Sequence, residues 1–290
     1  MSVDACFLFP VGDGHRLWVE TRGNPAGEPV LVLHGGPGSG CSPRFSELYD
    51  RARQFLVLPD QRGAGRSEPA GERGANTTAY LIADLEALRL HLGIARWRVT
   101  GGSWGATLAI AYAAAHRDAV TDLVLRSVFV PGRRQIERFF QGLRLGPEGG
   151  GLDVLATHLD PADGESARQA ALAWWRHEMS MAGATAAAAP EGEALDRLVL
   201  KYRLQAHYLQ SECFLGEAAF FAACTRLAGV PVALIHGRED RVCLPDGAEA
   251  VHAALPGSRL MWVQGCGHDP FHPAMLAAWR VALSGLPPPA

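Results

Sequence analysis

Gly101-Gly102-Ser103-Trp104-Gly105 is a Gly-x-Ser-x-Gly stretch lying between an apolar run at 97–100 and a helix-like segment at 104–115. Strand, serine and helix in that order are the setting of a nucleophile elbow, a turn so tight that side chains two residues before and after the serine would collide. Glycines stand at both of those positions. Such a turn holds the serine in an uncommon backbone conformation with its hydroxyl exposed. The helix that follows aims its first N–H groups at the same spot, which favours developing negative charge. The chemistry these features allow is attack of Ser103 on an acyl carbonyl.

A serine hydroxyl is a weak nucleophile at neutral pH and needs a base. Of the eleven histidines, His268 is best placed. It sits in the glycine-bearing loop Gly265-Cys266-Gly267-His268, after the last apolar run; His272 is the nearby alternative. The base in turn needs an acceptor to fix its tautomer and to stabilise the imidazolium. Asp240, in the loop after the apolar run 232–235, is expected to serve, with Glu239 as its neighbouring alternative. The order Ser103, Asp240, His268 suits a sheet that offers one residue from each of three strand ends. Oxyanion donors are expected from the backbone N–H of Trp104 and from the loop His34-Gly35-Gly36-Pro37-Gly38, with Gly36 preferred to Gly35. His34, at a strand end, reads as a brace for that loop.

The elements that must position these groups follow from periodicity. Short apolar runs at 30–33, 55–58, 98–100, 123–125, 232–235 and 260–263 read as buried parallel strands, and 17–21 as an antiparallel edge. Helical patterns at 77–92, 104–115, 245–254 and 273–283 lie between them, with Asn76 or Thr77 able to cap the first. Strands alternating with helices imply a doubly wound α/β sheet. The alternation stops near 129 and resumes near 230. Between them, 134–141, 166–179 and 195–209 have helical periodicity, and the glycine-bearing stretches 146–151 and 183–192 read as loops. The expected organisation is a core from 1–128 and 229–290, with a helical cap at 129–228.

The 290-residue chain is 48% hydrophobic with a net charge of −3. That suits one large core, and it gives no basic face for nucleic acid or an anionic membrane. Lys201 is the only lysine, which argues against Schiff-base catalysis. The six cysteines form no metal or Cys-x-x-Cys spacing and are expected as free thiols in the cytoplasm. No signal-peptide pattern and no run of about 18–20 apolar residues is visible. No metal or cofactor is implied; the serine chemistry points to a small-molecule acyl substrate as the expected partner.

With these residues in hand, the chain resembles the prolyl aminopeptidases, or proline iminopeptidases, of the α/β-hydrolase fold. The likeness rests on His34-Gly35-Gly36-Pro37-Gly38, on Asp60-Gln61-Arg62-Gly63-Ala64-Gly65-Arg66-Ser67 followed by Asn76-Thr77-Thr78, and on Gly101-Gly102-Ser103-Trp104-Gly105. The resemblance implies a mostly parallel eight-stranded sheet with an inserted helical cap. It also implies a serine enzyme that releases N-terminal proline from small peptides or arylamides. In the cap, Trp174-Trp175-Arg176-His177-Glu178 is similar to a Trp-x-x-Trp-Glu motif with its second tryptophan replaced, which implies that Glu178 helps bind the substrate amine. Arg203-Leu204-Gln205-Ala206-His207-Tyr208 resembles a motif whose third position is a second amine-binding glutamate; here it is Gln205. A glutamine supplies an oxygen but no charge, so the alternative substrate class is neutral esters, amides or lactones.

Overall fold

The computed structural model describes residues 4–145, 149–159, 164–183 and 188–285. Among these residues eight strands form one sheet: β1 (Ala5–Gly12), β2 (His15–Gly23), β3 (Glu28–Leu33), β4 (Gln54–Pro59), β5 (Trp97–Gly102), β6 (Val120–Arg126), β7 (Val232–Gly237) and β8 (Arg259–Val263). Their order is β1-β2-β4-β3-β5-β6-β7-β8. The β1–β2 and β2–β4 pairings are antiparallel and the rest are parallel. The expected sheet is therefore present. The antiparallel edge is longer than 17–21, and β1 was not foreseen, because its residues are largely exposed or half-exposed and carry no buried-strand signal.

The central strands are apolar on both faces because helices cover both faces. α1 (Thr78–His91), α2 (Trp104–Ala115), α8 (Pro245–Ala254) and α9 (Pro273–Gly285) match the expected helices closely. The α2 sequence WGATLAIAYAAA is buried from Trp104 to Ala113; its small residues let a helix with no polar face lie directly on β5 and β6. On the opposite face, Met275 and Trp279 of α9 pack with Val124, Ala233 and Ile235. Neither expected cap serves α1. Thr77 occupies the cap position without a side-chain bond, and the Asn76 amide donates instead to the carbonyls of Arg62 and Glu72.

Between β6 and β7 lie α3 (Arg133–Phe139), α4 (Leu152–His158), α5 (Gly164–Ala182), α6 (Gly192–Gln210) and α7 (Gly216–Thr225). The periodicity located α3, α5 and α6 but not the short α4 or α7. The loop readings at 146–148 and 184–187 lie outside the described residues. α5 packs along α6, whereas α7 packs on α2 and α8 of the sheet layer. Tyr208 of α6 donates to Asn76 Oδ1 at 2.6 Å, and His207 Nε2 meets the Asn76 carbonyl at 2.9 Å. Asn76 therefore ties this helical layer to the loop before α1.

Candidate active site

The strand order places the site. The chain runs from β3 outward to β4, then returns to β5 on the other side of β3, so the loops after β3 and β5 diverge and leave a crevice at the carboxyl ends of the strands. Register aligns those ends: Leu33 pairs with Gly101, Gly102 with Arg126, and Gly237 with Val263. One rim thus carries the residues that follow β3, β5, β7 and β8, among them Ser103, Asp240 and His268.

Ser103 stands between β5 and α2 with φ 57° and ψ −125°, a region costly for a residue with a side chain. The flanking glycines make the turn possible. A Cβ on Gly101 would lie 2.5 Å from the Gly105 carbonyl, and one on Gly105 would lie 2.4 Å from the Leu33 carbonyl oxygen. The Ser103 hydroxyl faces Cys243 Sγ at 3.7 Å. Trp104 is the first residue of α2 and has no preceding turn to accept its N–H. Its indole donates to Gln61 Oε1 at 2.8 Å, which ties the elbow to the loop after β4.

The loop after β3 is braced as expected. Buried His34 accepts the Gln61 N–H at Nε2 (3.0 Å), and its Nδ1 lies between the Gly35 carbonyl (3.0 Å) and the Gly40 N–H (3.2 Å). Burial lowers the imidazole pKa and favours the neutral form. Gly35 packs over the elbow, where an added Cβ would be 3.4 Å from Ser103 Cβ, and Gly36 has φ +72°. Among the described residues the Gly36 N–H donates to no backbone acceptor.

His268 Nδ1 is 2.8 Å from Asp240 Oδ2. Asp240 Oδ1 accepts the N–H groups of Val242 and Cys243, each at 2.9 Å. Burial alone would raise the Asp240 carboxyl. The His268 ring, by charge and hydrogen bond, together with His236 and the Cys243 N–H, more than reverses this and holds it well below the usual carboxylate range. With Nδ1–H given to Asp240, Nε2 is the basic nitrogen. Glu239 accepts the Gly265 N–H instead, so of the two neighbouring carboxylates only Asp240 is paired with His268. Arg126 donates to the His268 carbonyl at 2.9 Å and pins that loop.

Ser103, His268, Gly36, Trp104, Glu178 and Gln205 all line one cavity of about 280 Å³. Glu178 comes from α5 and Gln205 from α6. Lys201 Nζ lies 3.0 Å from Glu178 Oε2, Tyr202 donates to that oxygen at 2.7 Å, and Gln205 Nε2 donates to Oε1 at 3.3 Å. Burial would raise the Glu178 carboxyl, but these partners bring it below its ordinary value. Trp174 stacks on Tyr202 at 4.7 Å and meets the edge of Phe140 at 4.8 Å, so its role is packing. Sequence reasoning missed Lys201 and Tyr202; the single lysine four residues before Gln205 on a helical pattern was the signal that could have found Lys201. Cys243 lines the cavity and Cys266 does not.

The residues at 60–67 are structural. Asp60 pairs with Arg66 and accepts the Cys41 N–H, Arg62 forks onto Asp84 at 2.6 and 2.8 Å, and Ser67 Oγ donates to the Asp60 carbonyl. These bonds hold the loop carrying Gln61, and with it His34 and Trp104.

The sheet order and the strand-end rim define an α/β hydrolase. The profile of the α/β hydrolase fold family matches residues 28–274. Sequence relatives narrow this further. A proline iminopeptidase of Xylella fastidiosa is 37% identical over 292 residues, covering 92% of each chain, and one of Arabidopsis thaliana is 36% identical, covering 94% of this chain and 77% of its own. The chain belongs to the proline iminopeptidase family of α/β-hydrolase enzymes. In fold it is also similar to a proline iminopeptidase of Mycobacterium smegmatis (TM-score 0.67, 20% identity, 97% of each chain) and to an esterase of Rhodococcus sp. ECU1013 (TM-score 0.67, 23% identity, 99% of each chain). Among the described residues no helix is long and apolar enough to cross a membrane.

Proposed function

We propose that this protein is a serine hydrolase that releases N-terminal proline from small peptides and prolyl arylamides through an acyl-enzyme. Ser103 Oγ, resting against Cys243, turns to His268 Nε2 as substrate enters and gives up its proton while forming a bond to the prolyl carbonyl carbon. Asp240 holds the ring and stabilises the imidazolium. The carbonyl oxygen takes the negative charge and is met by the N–H groups of Gly36 and Trp104. Collapse breaks the C–N bond, and His268 passes the proton to the leaving amine. Water then attacks the acyl-serine, giving its proton to His268; collapse breaks the ester C–O bond, His268 returns the proton to Ser103 Oγ, and free proline leaves.

The observation that carries this reading is that His268, paired with Asp240 at 2.8 Å, lines the same cavity as a serine held at φ 57°. Family membership supports the prolyl substrate. The segment 129–228 is proposed as the insertion between core parts 1–128 and 229–290, with α5 and α6 as its capping helices carrying Glu178 and Gln205 toward the substrate nitrogen. Six free thiols support a cytoplasmic location.

The test is a substrate panel of proline, alanine and N-blocked proline arylamides with short-chain esters. Turnover of the proline arylamide above its alanine and blocked counterparts supports the reading. Ester turnover without prolyl turnover, by protein whose Ser103 reacts with a fluorophosphonate, would replace it with hydrolysis of neutral acyl substrates.

A further inference from the structure

Gln205 is 7% exposed and lines the cavity beside Gly36. Its Nε2 donates to Glu178 Oε1. A carboxylate only accepts, so this bond fixes which end of the amide is which. The other end, Oε1, lies 3.6 Å from where a Gly36 Cβ would be, at the loop expected to face the substrate carbonyl. That oxygen is buried and has no hydrogen-bond partner among the described residues. A buried acceptor without a donor is destabilising, so such an atom marks a place for a ligand's N–H.

Glu178 is in the opposite condition. Lys201, Tyr202 and Gln205 already donate to it. Lys201 precedes Gln205 by four residues on α6, so both reach the same face. Its ammonium cancels the Glu178 charge, and Arg126 adds a further cation to the cavity wall. Among the described residues lining the cavity, an ammonium arriving from water would meet no uncompensated negative charge and would have to displace Lys201 to find one.

We propose that Gln205 Oε1 accepts the substrate's ring N–H, and that Lys201, by neutralising Glu178, suits this position to a five-membered-ring acyl group whose nitrogen is uncharged. An unprotonated prolyl group and a lactam such as pyroglutamyl both fit that description. The inference rests on reading the cavity as the acyl pocket of a prolyl-type peptidase, and it names the charge state that pocket selects.

The test is a calorimetric titration in a Ser103→Ala background at about pH 6, where an α-amino group is mostly protonated. The probes are L-prolinamide, charged under these conditions, and L-pyroglutamamide, whose ring N–H is uncharged. With Lys201 in place, pyroglutamamide should bind at least as tightly as prolinamide. Lys201→Gln should move the ratio of the two constants about tenfold toward prolinamide, the size of one charge-assisted hydrogen bond; Lys201→Arg should leave it unmoved. Gln205→Glu should shift the ratio the same way and serves if Lys201→Gln fails to fold. A tenfold preference for prolinamide with Lys201 present, no measurable binding of pyroglutamamide, or a ratio indifferent to Lys201→Gln would overturn the inference. Turnover of a proline arylamide by the unaltered protein is read separately. Its absence would count against the peptidase reading while the binding ratios still decide this one.

Discussion

His268 Nδ1–H donates a hydrogen bond to Asp240 Oδ2 across 2.8 Å, joining the loop after β8 to the loop after β7. The two N–H groups on Asp240 Oδ1 and the Arg126 bond to the His268 carbonyl fix both partners from behind. The tautomer is thereby set before substrate arrives, and Nε2 is left as the only ring nitrogen able to take a proton.

Asp240→Asn would keep the shape and reverse that arrangement, since its amide donates where the carboxylate accepted. The kcat for the best substrate of the panel should fall about 10⁴-fold, the scale seen when a triad imidazole is forced into the wrong tautomer. A fall of less than tenfold in steady-state assays would remove Asp240 from the mechanism.

The same pair makes stability depend on pH. The Asp240 carboxyl is held below its unfolded value, so its contribution is present above the ordinary aspartate value of about 3.9 and is lost as pH falls further. In urea titrations Asp240→Asn should be less stable than the unaltered protein at pH 7, and the gap should narrow below about pH 4. A constant gap across that range would mean that the charge is not what stabilises the pair.

Much of this constellation was legible in the sequence. The elbow could be read because an apolar strand, two glycines at fixed spacing and an alanine-rich helix are local signals. Asp240 and His268 could be read because each follows a strand closely. Lys201 offered only a weak local signal, a lone lysine one turn before Gln205, because its importance arises when α5 and α6 pack side by side and bring it to Glu178. The largely exposed strand β1 carried no buried-strand signal, and α7, GEAAFFAACT, is small or apolar at most positions and so shows no clean period. The Asn76 side chain was misassigned to α1 because its true partners, Tyr208 and the Arg62 and Glu72 carbonyls, come from the tertiary fold.

Gly105→Ala tests the elbow itself. The new methyl would fall 2.4 Å from the Leu33 carbonyl oxygen and 2.7 Å from that of His34, and both are backbone atoms that cannot step aside cheaply. A loss of about 1–3 kcal/mol in denaturant titrations is expected, with activity falling further than stability because Ser103 moves. Normal stability and normal kcat would mean that the turn is less constrained than its contacts imply.

The thiols divide as well. Cys243 borders the cavity beside Ser103, and Cys266 does not. Burial pushes the Cys243 thiol up, so it is neutral and slow to react at ordinary pH. Maleimide should inactivate slowly, and Cys243→Ala, but not Cys266→Ala, should abolish the inactivation. Equal protection by both variants would contradict this division.

Tyr208→Phe would strip Asn76 Oδ1 of its 2.6 Å donor between α6 and the core. A stability loss of about 1–3 kcal/mol is expected for the orphaned acceptor, read as a lowered urea midpoint. An unchanged midpoint would show that this contact does not hold the two layers together.

The central claim is that Ser103 is made nucleophilic by the His268–Asp240 pair, and peptide mapping after reaction with an alkyl fluorophosphonate tests it most directly. The adduct should fall on Ser103, and under the same conditions His268→Ala should leave that serine essentially unmodified. An adduct on another residue, or equal labelling rates with and without the imidazole, would contradict the account.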